Sequence, residues 1–146
     1  MFYDAFFSND VPRKIPTDSL STQKKTILIV DDDMDIVQLL EYNLCKAGYD
    51  VKASASGLEA LWEMMGEKRP DCILLDIMMP SPNGFEICAY LKSSPEFSDI
   101  PVVIISARGN SNDIKAGLQL GANAYLPKPF GIDLLLKVIH DQTSLS

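Results

Sequence analysis

Long apolar runs are missing from this 146-residue chain, and nothing in it approaches the roughly 18 consecutive apolar residues that cross a bilayer. Histidine occurs once, at His140, so neither a zinc site nor a Ser-His or Cys-His catalytic pair is expected. Cysteine is scarce: Cys45, Cys72 and Cys88 are three, far apart and without CxxC spacing. Their places inside apolar patterns fit reduced, mostly buried thiols. Basic charge is in deficit, with 13 Lys and Arg against 20 Asp and Glu and a net charge of −7. No cluster of Lys and Arg compensates, so direct nucleic-acid binding is disfavoured and a protein partner is expected. Internal repeats and low-complexity tracts are absent. The N-terminal MFYDAFF lacks a preceding basic region and is broken by Asp4. It makes a poor signal peptide, and a cytoplasmic, membrane-free protein is expected.

What remains is an ordinary globular composition, 47% hydrophobic and 23% charged. Residues 1–25 show no sustained period and carry Pro12 and Pro16, which predicts a flexible N-terminal extension despite Phe2, Tyr3, Phe6 and Phe7. From Thr26 to Gln142 the pattern becomes regular, and 143–146 read as a tail. TILIV, YDVKAS, CILLD, PVVIIS and AYLP read as strands. Helical spacing falls between and after them, in MDIVQLLEYNLCKAG, GLEALWEMMGEK, FEICAYLKS, NDIKAGLQLG and GIDLLLKVIHD. Five strands alternating with five helices predict an α/β fold with a parallel sheet covered on both faces. The runs ILIV, ILL and VVII suit central strands, and the more mixed YDVKAS suits an edge.

In such a sheet the loops after the strands share one edge, where sites form. Asp31, Asp32 and Asp33 follow the first strand, Asp76 ends the third, Ser106 the fourth, and Lys128 lies just past the fifth. The second strand offers nothing polar of note. Each residue has a plain structural reading too: Asp33 as a helix cap, Ser106 as a loop serine, Lys128 as a solvated charge. Asp76 resists that reading, because a carboxylate closing CILL needs a partner. Like charges ~5 Å apart cost roughly 3 kcal/mol per pair at an effective dielectric near 20. A hard divalent cation relieves that cost, and Mg²⁺ suits a site that supplies few protein ligands. Carboxylates, metal, hydroxyl and ammonium together equip a site to handle a phosphoryl group.

In ILIVDDD, LLDIMMPSPNG, ISA and GANAYLPKPF, taken in order, the chain resembles the response-regulator receiver family of two-component systems over four-fifths of its length. The resemblance implies a doubly wound sheet of order 2-1-3-4-5 with five flanking helices. It implies Asp76 as phosphoacceptor, taking its phosphoryl group from phosphohistidine on a sensor kinase, from a phosphotransfer protein or from a small phosphodonor. Asp32, Asp76 and the backbone carbonyl of Met78 would ligate Mg²⁺, with Asp31 acting through water. Lys128 would bond a phosphoryl oxygen, followed by Pro129 through a cis peptide. Ser106 would turn towards the phosphoryl group with the Ala107 amide nearby, and Tyr125 would move inward as the aromatic switch residue. Pro80 and Gly84 match the loop after the acceptor.

Departures from the common pattern are informative. Ser106 stands for a commoner threonine and keeps the hydroxyl, and Asn83 replaces a common aspartate outside the acidic cluster. Met78 and Arg108 hold positions that tune dephosphorylation in similar proteins, and Met78 cannot hold an attacking water, so slow autodephosphorylation is expected. Ile114 and Ala124 stand where winged-helix regulators carry charges for dimerisation. With the short stretch after the last helix, this predicts a single-domain regulator, monomeric or weakly dimeric, acting on an unknown protein target. It would be no enzyme beyond its own phosphorylation and slow dephosphorylation. A haloacid-dehalogenase-type phosphohydrolase would need a second acidic motif where SARG and PKPF stand. An EF-hand would need other residues than Ile36 and Tyr42 at its turn and closing positions. A passive receiver that is never phosphorylated is the remaining alternative.

Overall fold

The computed structural model describes residues 5–7 and 24–144. Its elements are β1 (Phe6–Phe7), β2 (Thr26–Val30), α1 (Met34–Lys46), β3 (Asp50–Ser54), α2 (Gly57–Met64), β4 (Cys72–Asp76), α3 (Gly84–Ser93), β5 (Val102–Ser106), α4 (Ser111–Gln119), β6 (Ala124–Pro127) and α5 (Ile132–Thr143). The sheet order is β1-β6-β5-β4-β2-β3. Pairings among β2 to β6 are parallel, so the five strands from Thr26 onward stand in the order 2-1-3-4-5, as expected.

Period-two alternation divides each central strand between two cores. Leu28, Val30, Ile73, Leu75 and Ile104 face one side, against Ala60 and Met64 of α2, Ile87 and Leu91 of α3, and Ile114 of α4. Ile27, Ile29, Leu74, Val103 and Ile105 face the other, against Val37, Leu40 and Leu44 of α1 and Leu135, Val138 and Ile139 of α5. Each fully buried Leu or Ile contributes roughly 1.5–3 kcal/mol, which is why runs apolar at every position become the sheet's centre. Local signals then start the helices. Asp33, Ser56, Asn83 and Asn110 accept backbone N–H bonds as N-caps, and Asn83 with Glu86 forms a reciprocal capping box. Burial pushes the Cys72 thiol up to about 12 and that of Cys88 to about 11, so neither is a thiolate near neutrality, while Cys45 is exposed.

Two boundaries depart from expectation. Phe6 and Phe7, expected within a flexible N-terminal extension, belong to the sheet and pair antiparallel with Tyr125 and Ala124. The cause is an edge: β6 would otherwise present unpaired N–H and C=O groups along one side. The rest of the expected extension, apart from Ala5, Lys24 and Lys25, lies outside the described residues. At the other end α5 includes Thr143, a residue expected in the tail. Thr143 is buried, and its hydroxyl donates to the carbonyl of Ile139 at 2.9 Å, which holds the last turn closed.

Candidate functional site

The carboxyl ends of β2, β4, β5 and β6 converge at one edge of the sheet. Asp31, directly after β2, is fully buried, and its N–H donates to the carbonyl of Ser54 at 3.1 Å. The end of β3 thus contributes after all, through a backbone atom that residue types cannot reveal. Asp31 Oδ1 accepts the N–H of Asp33 at 2.9 Å, so the chain turns around this carboxylate before α1 begins. Asp33 itself caps α1, as expected, and Asp32 is exposed. Asp76 closes β4 at 5% exposure, and its Oδ1 accepts the N–H of Met78 at 3.1 Å. One carboxylate oxygen from each of Asp31, Asp32 and Asp76 lies within 4.8 Å of the other two.

Lys128 answers part of this charge. Its Nζ lies 3.0 Å from Asp31 Oδ2 and 3.9 Å from Asp76 Oδ2. Its own N–H donates to the carbonyl of Ser106 at 2.7 Å, which ties the ends of β5 and β6 together, and the Lys128–Pro129 peptide is cis. One ammonium does not balance the cluster. Burial, with the nearby charge of Asp31, raises the Asp76 carboxyl above the ordinary aspartate range, against the opposing effects of the Met78 N–H and of Lys128.

That imbalance is the test of fit for a cation. The donors are all oxygens, they converge, and one of them resists ionisation where it stands. Such a set suits a hard divalent ion and not a soft one.

Ser106 and Tyr125 lie further along the same edge. Ser106 is fully buried, and its Oγ accepts the N–H of Arg108 at 3.0 Å. Tyr125 is also fully buried, in the inward position, and its hydroxyl donates to the carbonyl of Arg108. Arg108 therefore links the serine to the tyrosine through its backbone, a role no side-chain motif could disclose. Its guanidinium points elsewhere, with Nε 3.6 Å from Asp113 Oδ2. Space for the inward ring comes from Gly117 of α4: a Cβ there would stand 3.0 Å from Tyr125 Cδ2 and 2.8 Å from Ile104 Cδ1. Gly84 serves Asp76 in the same way. A Cβ at that position would lie 2.4 Å from the carbonyl oxygen of Asp76, so only glycine lets α3 begin so close to β4. Met78 is 52% exposed at the mouth of the site.

A family model for the response regulator receiver domain matches residues 27–140. Among curated proteins, the chain is 43% identical over 110 residues to response regulator MprA of Mycobacterium ulcerans (strain Agy99), covering 75% of this chain and 46% of that one. The chain thus spans about half the length of the curated relatives it matches. Among solved structures, it is similar to a Chloroflexus aurantiacus J-10-fl protein classed as a response regulator (34% identity, TM-score 0.79, 83% of this chain and 98% of that one). It is also similar to the chemotaxis protein CheY4 of Vibrio cholerae (30% identity, TM-score 0.75, 81% and 98%). No helix among the described residues is long and apolar enough to cross a membrane.

Proposed function

The chain belongs to the response regulator receiver domain family of two-component signalling, and we propose that it is a phosphorylation-driven switch whose acceptor is Asp76. Receiver domains interact with histidine kinases or phosphotransfer proteins, and the donor here is such a protein carrying phosphohistidine. A carboxylate oxygen of Asp76 attacks phosphorus, the new O–P bond forms as the N–P bond breaks, and the imidazole keeps the electron pair of that bond. Asp32, Asp76 and the carbonyl of Met78 would hold Mg²⁺, with Asp31 behind them through water. Bound there, the ion supplies charge neutralisation to the phosphoryl oxygens. Lys128 bonds one of those oxygens, and its anchored N–H keeps it at the edge where charge develops.

One observation carries this reading: the acceptor, two further carboxylates and the ammonium converge on a sheet edge where Asp76 is held above the ordinary aspartate range. An aspartyl phosphate replaces the single negative charge of the carboxylate with the roughly −1.5 to −2 of a phosphoryl group, by analogy with other phosphoryl modifications. Ser106 then turns from the Arg108 amide towards the phosphoryl group, and Tyr125 is favoured in its inward position. The equilibrium between two arrangements of α4, β6 and α5 shifts by as much as the phosphoryl group prefers one of them. The output is a changed protein-binding face on the receiver domain. The net charge of −7 favours a protein over a nucleic acid as the target. Beyond forming and slowly losing its own aspartyl phosphate, the chain has no catalytic activity.

Incubation with acetyl phosphate and Mg²⁺, followed by intact-mass spectrometry, tests the reading. One phosphoryl adduct that requires Mg²⁺ supports it. Steady hydrolysis of donor without an adduct points to a phosphohydrolase, and neither adduct nor turnover to a passive domain.

A further inference from the structure

Beside the switch residue the sheet carries a strand that the five-stranded pattern does not need. In β1, Phe6 stands opposite Tyr125 and Phe7 opposite Ala124, in antiparallel register. Residues directly opposite one another point to the same face. Phe6, 39% exposed, therefore lies on the face where the Tyr125 ring packs under α4. Ala5, one residue earlier, packs against the other core, on the side of α1 and α5. The segment thus straddles the edge of β6 between α4 and α5.

We propose that residues 5–7 are a built-in regulatory strand that occupies the β6 edge and selects the inward position of Tyr125. The contact is a strand addition, in which backbone pairing supplies affinity and a side chain supplies selectivity. An outward Tyr125 ring would swing to the outer margin of β6, where Phe6 stands opposite it on the same face. Docking of the strand and inward packing of Tyr125 therefore favour each other, and the coupling is reciprocal. Phosphorylation, by favouring inward Tyr125, tightens the strand; loss of the strand weakens the switch. A partner that pairs with β6 must first displace the chain's own residues 5–7. The inference rests on Tyr125 being the switch side chain.

The test uses the full chain with fluorotyrosine labelling and amide hydrogen exchange. Without a phosphodonor, residues 5–7 are expected to exchange more slowly than in a free peptide of the same sequence. Deleting residues 1–7, or the milder Phe6→Asp, should move the Tyr125 fluorine resonance towards its solvent-exposed value. Beryllofluoride with Mg²⁺ should slow exchange at residues 5–7 by roughly fivefold or more, the lower end of ordinary coupling between sites. Exchange at the free-peptide rate, or an unmoved Tyr125 resonance in both variants, would overturn the proposal. So would beryllofluoride that protects the loop after Asp76 but leaves residues 5–7 unchanged. Protection that rises with protein concentration would place the strand on a second copy and overturn the intramolecular form. If beryllofluoride alters nothing, the loop after Asp76 included, the acceptor reading fails, and the two variants alone decide the strand.

Discussion

Lys128 stands closer to Asp31 than to Asp76: its Nζ is 3.0 Å from Asp31 Oδ2 and 3.9 Å from Asp76 Oδ2. Asp31 is fully buried and the Lys128 side chain is 19% exposed, which makes the ion pair part of the domain's structure as well as of its site. Removing one member of a buried pair leaves the other uncompensated. Lys128→Met should destabilise the domain by about 3 kcal/mol in metal-free buffer, as measured by urea denaturation. Mg²⁺ should recover part of the loss by replacing the missing positive charge.

Asp76 works in the opposite direction. Its carboxyl is raised above the unfolded value chiefly by burial, so the native state binds a proton more tightly than the unfolded one does. The resulting penalty is absent below the unfolded value, grows as pH rises through the interval between the two, and is complete above the native value. Asp76→Asn should therefore be more stable than the parent at pH 7 without Mg²⁺, with a higher Tm. The difference should shrink as pH falls towards 4, and added Mg²⁺ should stabilise the parent more than the variant. A variant that melts lower than the parent at pH 7 would contradict this.

Gly117 makes room for the inward ring without touching the acidic cluster. Gly117→Ala sets a Cβ 3.0 Å from Tyr125 Cδ2, and overpacking of this kind costs roughly 1–3 kcal/mol. Both positions of the ring bear the clash with Ile104 Cδ1, but only the inward one bears the clash with Tyr125, so the variant should accept phosphate from acetyl phosphate more slowly while binding Mg²⁺ as the parent does. Rates from intact-mass time courses and a Mg²⁺ titration by calorimetry separate the two effects.

The Met78 side chain, exposed at the mouth of the site, carries no group that could orient water. Loss of the phosphoryl group after the donor is removed should take many minutes rather than seconds. Met78→Asn supplies a side chain able to orient water and should speed that loss by roughly tenfold, the effect of ~1.4 kcal/mol on the barrier. Decay is followed by intact mass after desalting.

The five parallel strands could be read in the sequence because TILIV, CILLD and VVIIS are apolar at every step, a pattern that only a doubly covered sheet satisfies. Asp31, Asp32, Asp76, Ser106 and Lys128 were legible for a related reason: parallel topology forces the ends of those strands to one edge. What escaped is carried by atoms that every residue shares. The Ser54 and Arg108 carbonyls hold Asp31 and Tyr125, and no residue type announces a carbonyl. Phe6 and Phe7 escaped because a two-residue strand has no measurable period; its pairing depends on the vacant side of β6, which exists only after folding. The preference of Lys128 for Asp31 over Asp76 is a matter of one ångström, beyond any reading of spacing.

Borohydride reduction tests the assignment of Asp76 most directly, because it converts an aspartyl phosphate into homoserine and leaves free carboxylates alone. Protein treated with acetyl phosphate and Mg²⁺ is reduced, digested and sequenced by tandem mass spectrometry. The account predicts homoserine at position 76, dependent on Mg²⁺ and on the donor. Homoserine at position 31 or 32, or none at all in protein that carries the phosphoryl adduct, would contradict it.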